Sequence, residues 1–202
     1  SLAMGQPVLA FLQDEFKVRR ERAALAFGAA TLALGSMAVI LYPGGAFDEF
    51  DFWTGTFSLI VFAFAEVLIF GWIFGIDRGW AEITKGADLE LPALYKFVIK
   101  YVTPLFILLV LVGAMIQPSA SWGEAFAQLF GGQGWPLAPG SVIGKILHVG
   151  DTEGWFDAAG GVTPVFVKDL TRIVLLTVFA LIAALVWKAF QGRNLASSGG
   201  DK

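Results

Sequence analysis

The chain has 202 residues, of which 56% are hydrophobic and 15% are charged, whereas soluble domains average about 45–50% and 25%. Because the excess lies in long apolar runs, the composition excludes a soluble globule with an ordinary core. The net charge of −3 and the absence of cysteine exclude a polybasic nucleic-acid surface, disulfides and thiolate metal sites.

The first segment, residues 1–16, predicts the end of a helix. An apolar run from Ser1 to Leu12 stops at Gln13, Asp14 and Glu15. This run is too short to cross a bilayer core, which needs about 20 apolar residues. A signal peptide carries positive charge before its apolar run, whereas here the basic residues follow it. We therefore interpret the chain as a C-terminal part of a larger protein.

Four later runs are long and apolar enough to be membrane spans. They cover residues 23–41, 52–76, 92–116 and 169–190, and residues 117–168 form a long loop between the last two. The predicted fold class is all-α integral membrane, a polytopic helical bundle. Basic residues alternate between successive loops, which by the positive-inside rule places the 117–168 loop outside and the C-terminus in the cytoplasm.

A polar stripe runs along the predicted span 52–76. At about 100° per residue its members share roughly a third of the helix circumference; they are Asp51, Thr54, Gly55, Ser58, Ala65 and Glu66. Such a stripe suits either close helix packing or a water-lined pathway. A carboxylate is costly in lipid, so Glu66 is predicted to be buried against protein or water. A structural hydrogen bond is favoured over a transport role for this residue.

Two other carboxylates have a plain and a functional interpretation. Asp51 is either the N-cap of a helix that starts at Phe52 or a gate that pairs with a cation. Asp14 is either a solvated helix end or a gate at the opposite membrane face. The chain has one histidine and no nucleophile elbow or phosphate loop, so it predicts neither an enzyme nor a protein-bound transition metal.

Several motifs together resemble the neurotransmitter:sodium symporters, especially their bacterial amino-acid transporters. FDEFDFWTGT at 47–56, Glu66 and FGWIFG at 70–75 are similar to the tenth transmembrane helix of that family. LPALY at 91–95 with KYVTP at 100–104 resembles the start of the eleventh helix, and QPVLAFLQDE at 6–15 resembles the end of the eighth. The resemblance runs in register from residue 1 to about 117, departs at 118–169, and covers the last span only in hydropathy.

This resemblance implies a role for five residues. It makes Asp51 the outer-gate carboxylate, facing an arginine on the first helix, and Asp14 the inner-gate carboxylate. Phe47 and Asp48 border the external vestibule, and Met4 lines the pocket for the substrate side chain. The chain would then hold the end of the eighth helix through the twelfth helix of an inverted-repeat secondary transporter, all within one transmembrane domain.

The resemblance further implies sodium-coupled symport of an amino acid or related small amine in a bacterial inner membrane. Its Na⁺ ligands are expected mostly before Ser1, in N-terminal helices of the same transporter. These helices, the substrate and the lipid bilayer are the expected partners, and nucleic acid is not. The alternative is a membrane scaffold or assembly subunit that transports nothing, which would lack the Gly-rich, interrupted first helix of a symporter.

Overall fold

The computed structural model describes residues 2–86 and 92–198, with side chains at 5–86 and 92–193. Within these ranges every regular element is helical and no strand occurs, which confirms the predicted all-α class. The α-helices are α1 (Leu2–Phe16), α2 (Arg20–Ile40), α3 (Ala46–Phe50), α4 (Ser58–Leu68), α5 (Ile76–Ile83), α6 (Leu94–Phe97), α7 (Thr103–Met115), α8 (Trp122–Phe130), α9 (Val142–Ile146) and α10 (Pro164–Ser198).

Three π-helical segments interrupt the regular winding. They are Asp51–Phe57 between α3 and α4, Ile69–Gly75 between α4 and α5, and Val98–Val102 between α6 and α7. In a π-turn the backbone bond spans five residues instead of four, so the helix widens and its faces rotate. At Gly75 the backbone leaves helical geometry altogether (φ 94°, ψ 125°), a conformation that glycine adopts without a steric penalty.

Four helical runs in the described ranges are long and apolar enough to cross a membrane. They are Arg20–Ile40, Ala46–Ile83, Leu94–Met115 and Pro164–Arg193. The second begins at Ala46 rather than at residue 52, because the acidic segment 48–51, which was placed before the predicted span, is already helical. The fourth begins at Pro164 rather than at residue 169, and a proline fits a first helical turn because that turn needs no N–H donor there.

The chain divides into two compact units, Ser1–Phe50 with Glu153–Lys202, and Asp51–Thr152. In the first unit, α1 packs on α2, and α3 packs on both α2 and α10. In the second unit, α4 packs on α7, α5 on α6, and α7 on α9. Most large apolar side chains remain exposed in both units, as helices that face lipid or further helices require.

Candidate functional site

The turn before α3 is shaped by two glycines in the sequence YPGG. The 3₁₀ turn Tyr42–Gly44 ends at Gly45, whose φ of 84° favours glycine. A Cβ added at Gly44 would lie 2.6 Å from Cγ2 of Val167 on α10, closer than real Cβ contacts. Only glycine therefore lets α10 approach this turn, and the next residue, Ala46, is fully buried at the start of α3.

Helix α3 has an exposed face and a buried face. Phe47 is 53% exposed, and its ring centroid lies 6.1 Å from that of Tyr42. Asp48 is exposed, whereas the next residue, Glu49, is only 2% exposed. The two α3 residues that the resemblance assigns to an external vestibule are therefore accessible, and their acidic neighbour is not.

Glu49 belongs to an ion-pair network that the sequence analysis missed. Nε of Arg172 donates to Oε2 of Glu49 at 2.8 Å. Nη1 of Arg172 also lies 3.2 Å from Oδ1 of Asp169, and the indole N–H of Trp155 donates to Oδ2 of Asp169 at 2.9 Å. The available signal was Arg172 itself, a cation inside the predicted span 169–190, where a charge calls for a partner.

Asp51 is exposed and lies inside a helix rather than at its start. The helix begins at Ala46, so the N-cap interpretation is wrong, because a cap residue precedes the first turn. A Cβ added at Gly55 would lie 3.2 Å from Oδ1 of Asp51. The carboxylate thus lies over Gly55, and the absence of a side chain there leaves it room.

Glu66 is exposed within the described chain, and its burial against further helices stays a prediction. The polar stripe from Asp51 to Glu66 was predicted with 3.6 residues per turn, whereas residues 51–57 wind in wider π-turns. The Ser58 hydroxyl donates to the carbonyl of Trp53, five residues earlier, at 2.6 Å. Because the wider turns rotate the helix, the face that carries Asp51 does not continue unchanged to Glu66.

At the other predicted gate, Asp14 is exposed near the end of α1. Its neighbour Glu15 forms the ion pair there, accepting from Nε of Arg193 at 2.9 Å. The side chain of Met4 lies outside the described residues. Among the described residues no group of three or more His, Cys, Asp and Glu side chains converges.

A further polar contact joins two helices of the second unit. The indole N–H of Trp72 donates to the carbonyl oxygen of Lys100 at 2.9 Å. The residue four positions after Lys100 is Pro104, which has no N–H to donate to that carbonyl. At the same crossing, a Cβ added at Gly71 would lie 3.6 Å from Cα of Lys100, an ordinary contact distance. Trp72 therefore donates to a backbone carbonyl one turn before the α7 proline.

Comparison with known protein families gives a match that covers most of the chain. The model of the sodium:neurotransmitter symporter family matches residues 1–149, about three quarters of the sequence. The chain belongs to the sodium:neurotransmitter symporter family. No curated protein matches it. This membership confirms the resemblance and identifies an integral membrane protein of a transporter family, and the family description implies sodium-coupled symport of neurotransmitter- or amino-acid-type substrates.

The symporter match also corrects the expected extent of the resemblance. The sequence was expected to depart from the family at residues 118–169, yet the match continues to residue 149 and includes α8 and α9. These short helices were not recognised as family features because they lack the long apolar runs of a span. The match ends before α10, and so it does not include Asp169 or Arg172.

Proposed function

We propose that this chain is the gate-bearing C-terminal part of a sodium-coupled amino-acid symporter, with Asp51 as its outer-gate carboxylate. The observation that carries the proposal is the placement of Asp51 within the family-matched region. Its side chain is exposed and lies over Gly55, and no described residue forms an ion pair with it. A carboxylate in this state is accessible to a cation from a moving helix.

Gating follows from the distance and solvent dependence of an ion pair. Two unit charges about 4 Å apart attract by about 4 kcal/mol at an effective dielectric constant of 20, but by about 1 kcal/mol in water. An Asp51–arginine pair therefore holds the outer entrance while water is excluded and weakens once water enters. Transporters of this kind alternate access by moving one bundle against another around a mid-membrane site.

The remaining assignments belong to the same proposal. Asp14 serves as the inner-gate carboxylate, Phe47 and Asp48 border the outer vestibule, and Met4 favours a hydrophobic or medium-sized substrate side chain. Glu66 faces N-terminal helices of the same transporter, which also supply the Na⁺ ligands. The protein acts in a bacterial inner membrane, with its C-terminus in the cytoplasm.

The experiment is sodium-driven amino-acid uptake by the complete gene product in proteoliposomes, compared at equal amounts of folded protein. Asp51→Asn should lower uptake at least tenfold, since the lost attraction is worth more than the 1.4 kcal/mol that a factor of ten requires. The matched control is Glu153→Gln, which removes an exposed carboxylate from the 117–168 loop. Wild-type uptake by Asp51→Asn would refute the gate.

Absence of uptake for every amino acid tested, in wild-type protein that is folded and reconstituted, would favour the scaffold alternative instead. Asp14→Asn tests the inner gate in the same assay. It should also lower uptake, and because a weakened inner gate favours the inward-open state, it should reduce external accessibility, whereas Asp51→Asn should raise it.

A further inference from the structure

The buried ion pair between α3 and α10 lies on the helix that presents the proposed vestibule residues. Glu49 is 2% exposed, and Ala46 on the same helix is fully buried, whereas Phe47 and Asp48 are exposed. The orientation of α3 therefore decides which of its residues faces the vestibule. A rotation that exposed Glu49 would turn Phe47 and Asp48 away.

Arg172 holds that orientation from α10. Its guanidinium donates to Glu49 at 2.8 Å and to Asp169 at 3.2 Å, and only 13% of its side chain is exposed. Asp169 is held in turn by the indole of Trp155 at 2.9 Å. Arg172 cannot follow a moving Glu49 without losing its contact to Asp169, so the network resists rotation of α3.

Packing beside the network fixes α10 against the same segment. Thr171 is fully buried, and its hydroxyl donates to the carbonyl of Val167 at 2.8 Å. Val167 is 7% exposed and lies where a side chain at Gly44 would be. The turn before α3 and the buried face of α3 are thus both held by α10.

We propose that Arg172 is a positioning residue for the outer vestibule. By pairing with buried Glu49 it fixes α3, and thereby keeps Phe47 and Asp48 turned toward the substrate path. This inference rests on the proposed function, because it assumes that the two residues border that path. The family match ends at residue 149 and assigns no role to Arg172.

The test reports the position of α3 without requiring transport. The chain has no cysteine, so a Phe47→Cys reporter is the single thiol of this region, and labelling of protein without the reporter is subtracted. The complete gene product in proteoliposomes is labelled with a membrane-impermeant thiol reagent, with and without sodium. The rate per folded molecule is compared in Arg172→Gln, in Glu49→Gln and in the double variant.

Each single variant should change the labelling rate on the order of tenfold, the coupling typical of residues in one network. Each should also reduce the response to sodium and raise the KM for uptake more than it lowers the maximal rate. The double variant removes both charges of the buried pair, and Asp169 keeps its hydrogen bond from Trp155, so the folded yield should recover part of the way toward wild type. Its labelling should remain altered, because the contact that positions α3 is still missing.

The matched control is the exposed ion pair Arg19–Glu21 of the same unit. Nη2 of Arg19 lies 3.2 Å from Oε2 of Glu21, and the two side chains are 72% and 77% exposed. Arg19→Gln and Glu21→Gln should leave labelling and KM unchanged, because exposed pairs contribute little. Recovery of wild-type labelling in the double variant, or unchanged labelling in Arg172→Gln, would show that the ion pair stabilises the fold but does not position α3. If labelling is altered in the Arg172 and Glu49 variants but neither they nor the wild type take up amino acid, the proposed function is contradicted and the positioning role of Arg172 is not.

Discussion

The hydrogen bond from Trp72 to Lys100 gives a quantitative test of the second unit. Trp72→Phe removes the indole donor at 2.9 Å from the Lys100 carbonyl and keeps an aromatic ring beside Tyr101, whose centroid lies 6.0 Å away. A net hydrogen bond contributes about 0.5–1.5 kcal/mol, and side-chain bonds between membrane helices average about 0.6 kcal/mol. We therefore expect Trp72→Phe to lower the free energy of unfolding by about 1 kcal/mol.

We expect this loss to depend on Pro104, because a regular α-helical turn would place the donor to Lys100 at that residue. Pro104→Ala restores an N–H four residues after Lys100, so the carbonyl gains an alternative donor. In the Pro104→Ala background, Trp72→Phe should lower the free energy of unfolding by less than half as much. The difference between the two costs is the coupling energy of a double-mutant cycle.

The assay is thermal unfolding of the detergent-solubilised complete gene product, followed by a folding-sensitive size-exclusion signal. Trp72→Phe should lower the Tm by at most about 2–4 °C, the shift that about 1 kcal/mol gives in a protein of 150–250 residues. The matched control is Trp187→Phe on α10, an exposed tryptophan that should change the Tm little. An equal shift from Trp72→Phe in the wild-type and Pro104→Ala backgrounds would refute the link to the proline.

Two glycine substitutions test the outer segment. Gly44→Ala places a Cβ 2.6 Å from Val167 and should destabilise the protein by about 1–3 kcal/mol in thermal unfolding, whereas Gly28→Ala, with nothing within 4 Å, should not; equal effects would contradict the close packing. Gly55→Ala places a Cβ 3.2 Å from the Asp51 carboxylate and should lower sodium-driven uptake without lowering the Tm. Unchanged uptake would show that the position of Asp51 does not matter.

The helical class and the four membrane-crossing runs could be predicted from the sequence because they depend on long apolar stretches. The start of the second run could not, because Asp48 and Glu49 are polar enough to indicate a turn. Glu49 is nevertheless helical and buried, since Arg172 neutralises it from 123 residues along the chain. Pairing over that separation leaves no periodic pattern near either residue.

The polar stripe predicted from Asp51 to Glu66 shows a second limit. A helical wheel needs a constant rotation per residue, and the π-turns at residues 51–57 change that rotation. Their presence is not encoded in the spacing of apolar residues that predicts the span. By contrast, the exposure of Phe47 and Asp48 agrees with the vestibule role that the resemblance implies, and that role stays a prediction.

Sodium-gradient-driven uptake of a hydrophobic amino acid by the reconstituted complete gene product tests the central claim most directly. With an inward sodium gradient, the amino acid should accumulate inside the proteoliposomes and should leave when the gradient is dissipated. Replacing sodium with potassium should abolish accumulation. Equal accumulation in potassium would contradict sodium-coupled symport.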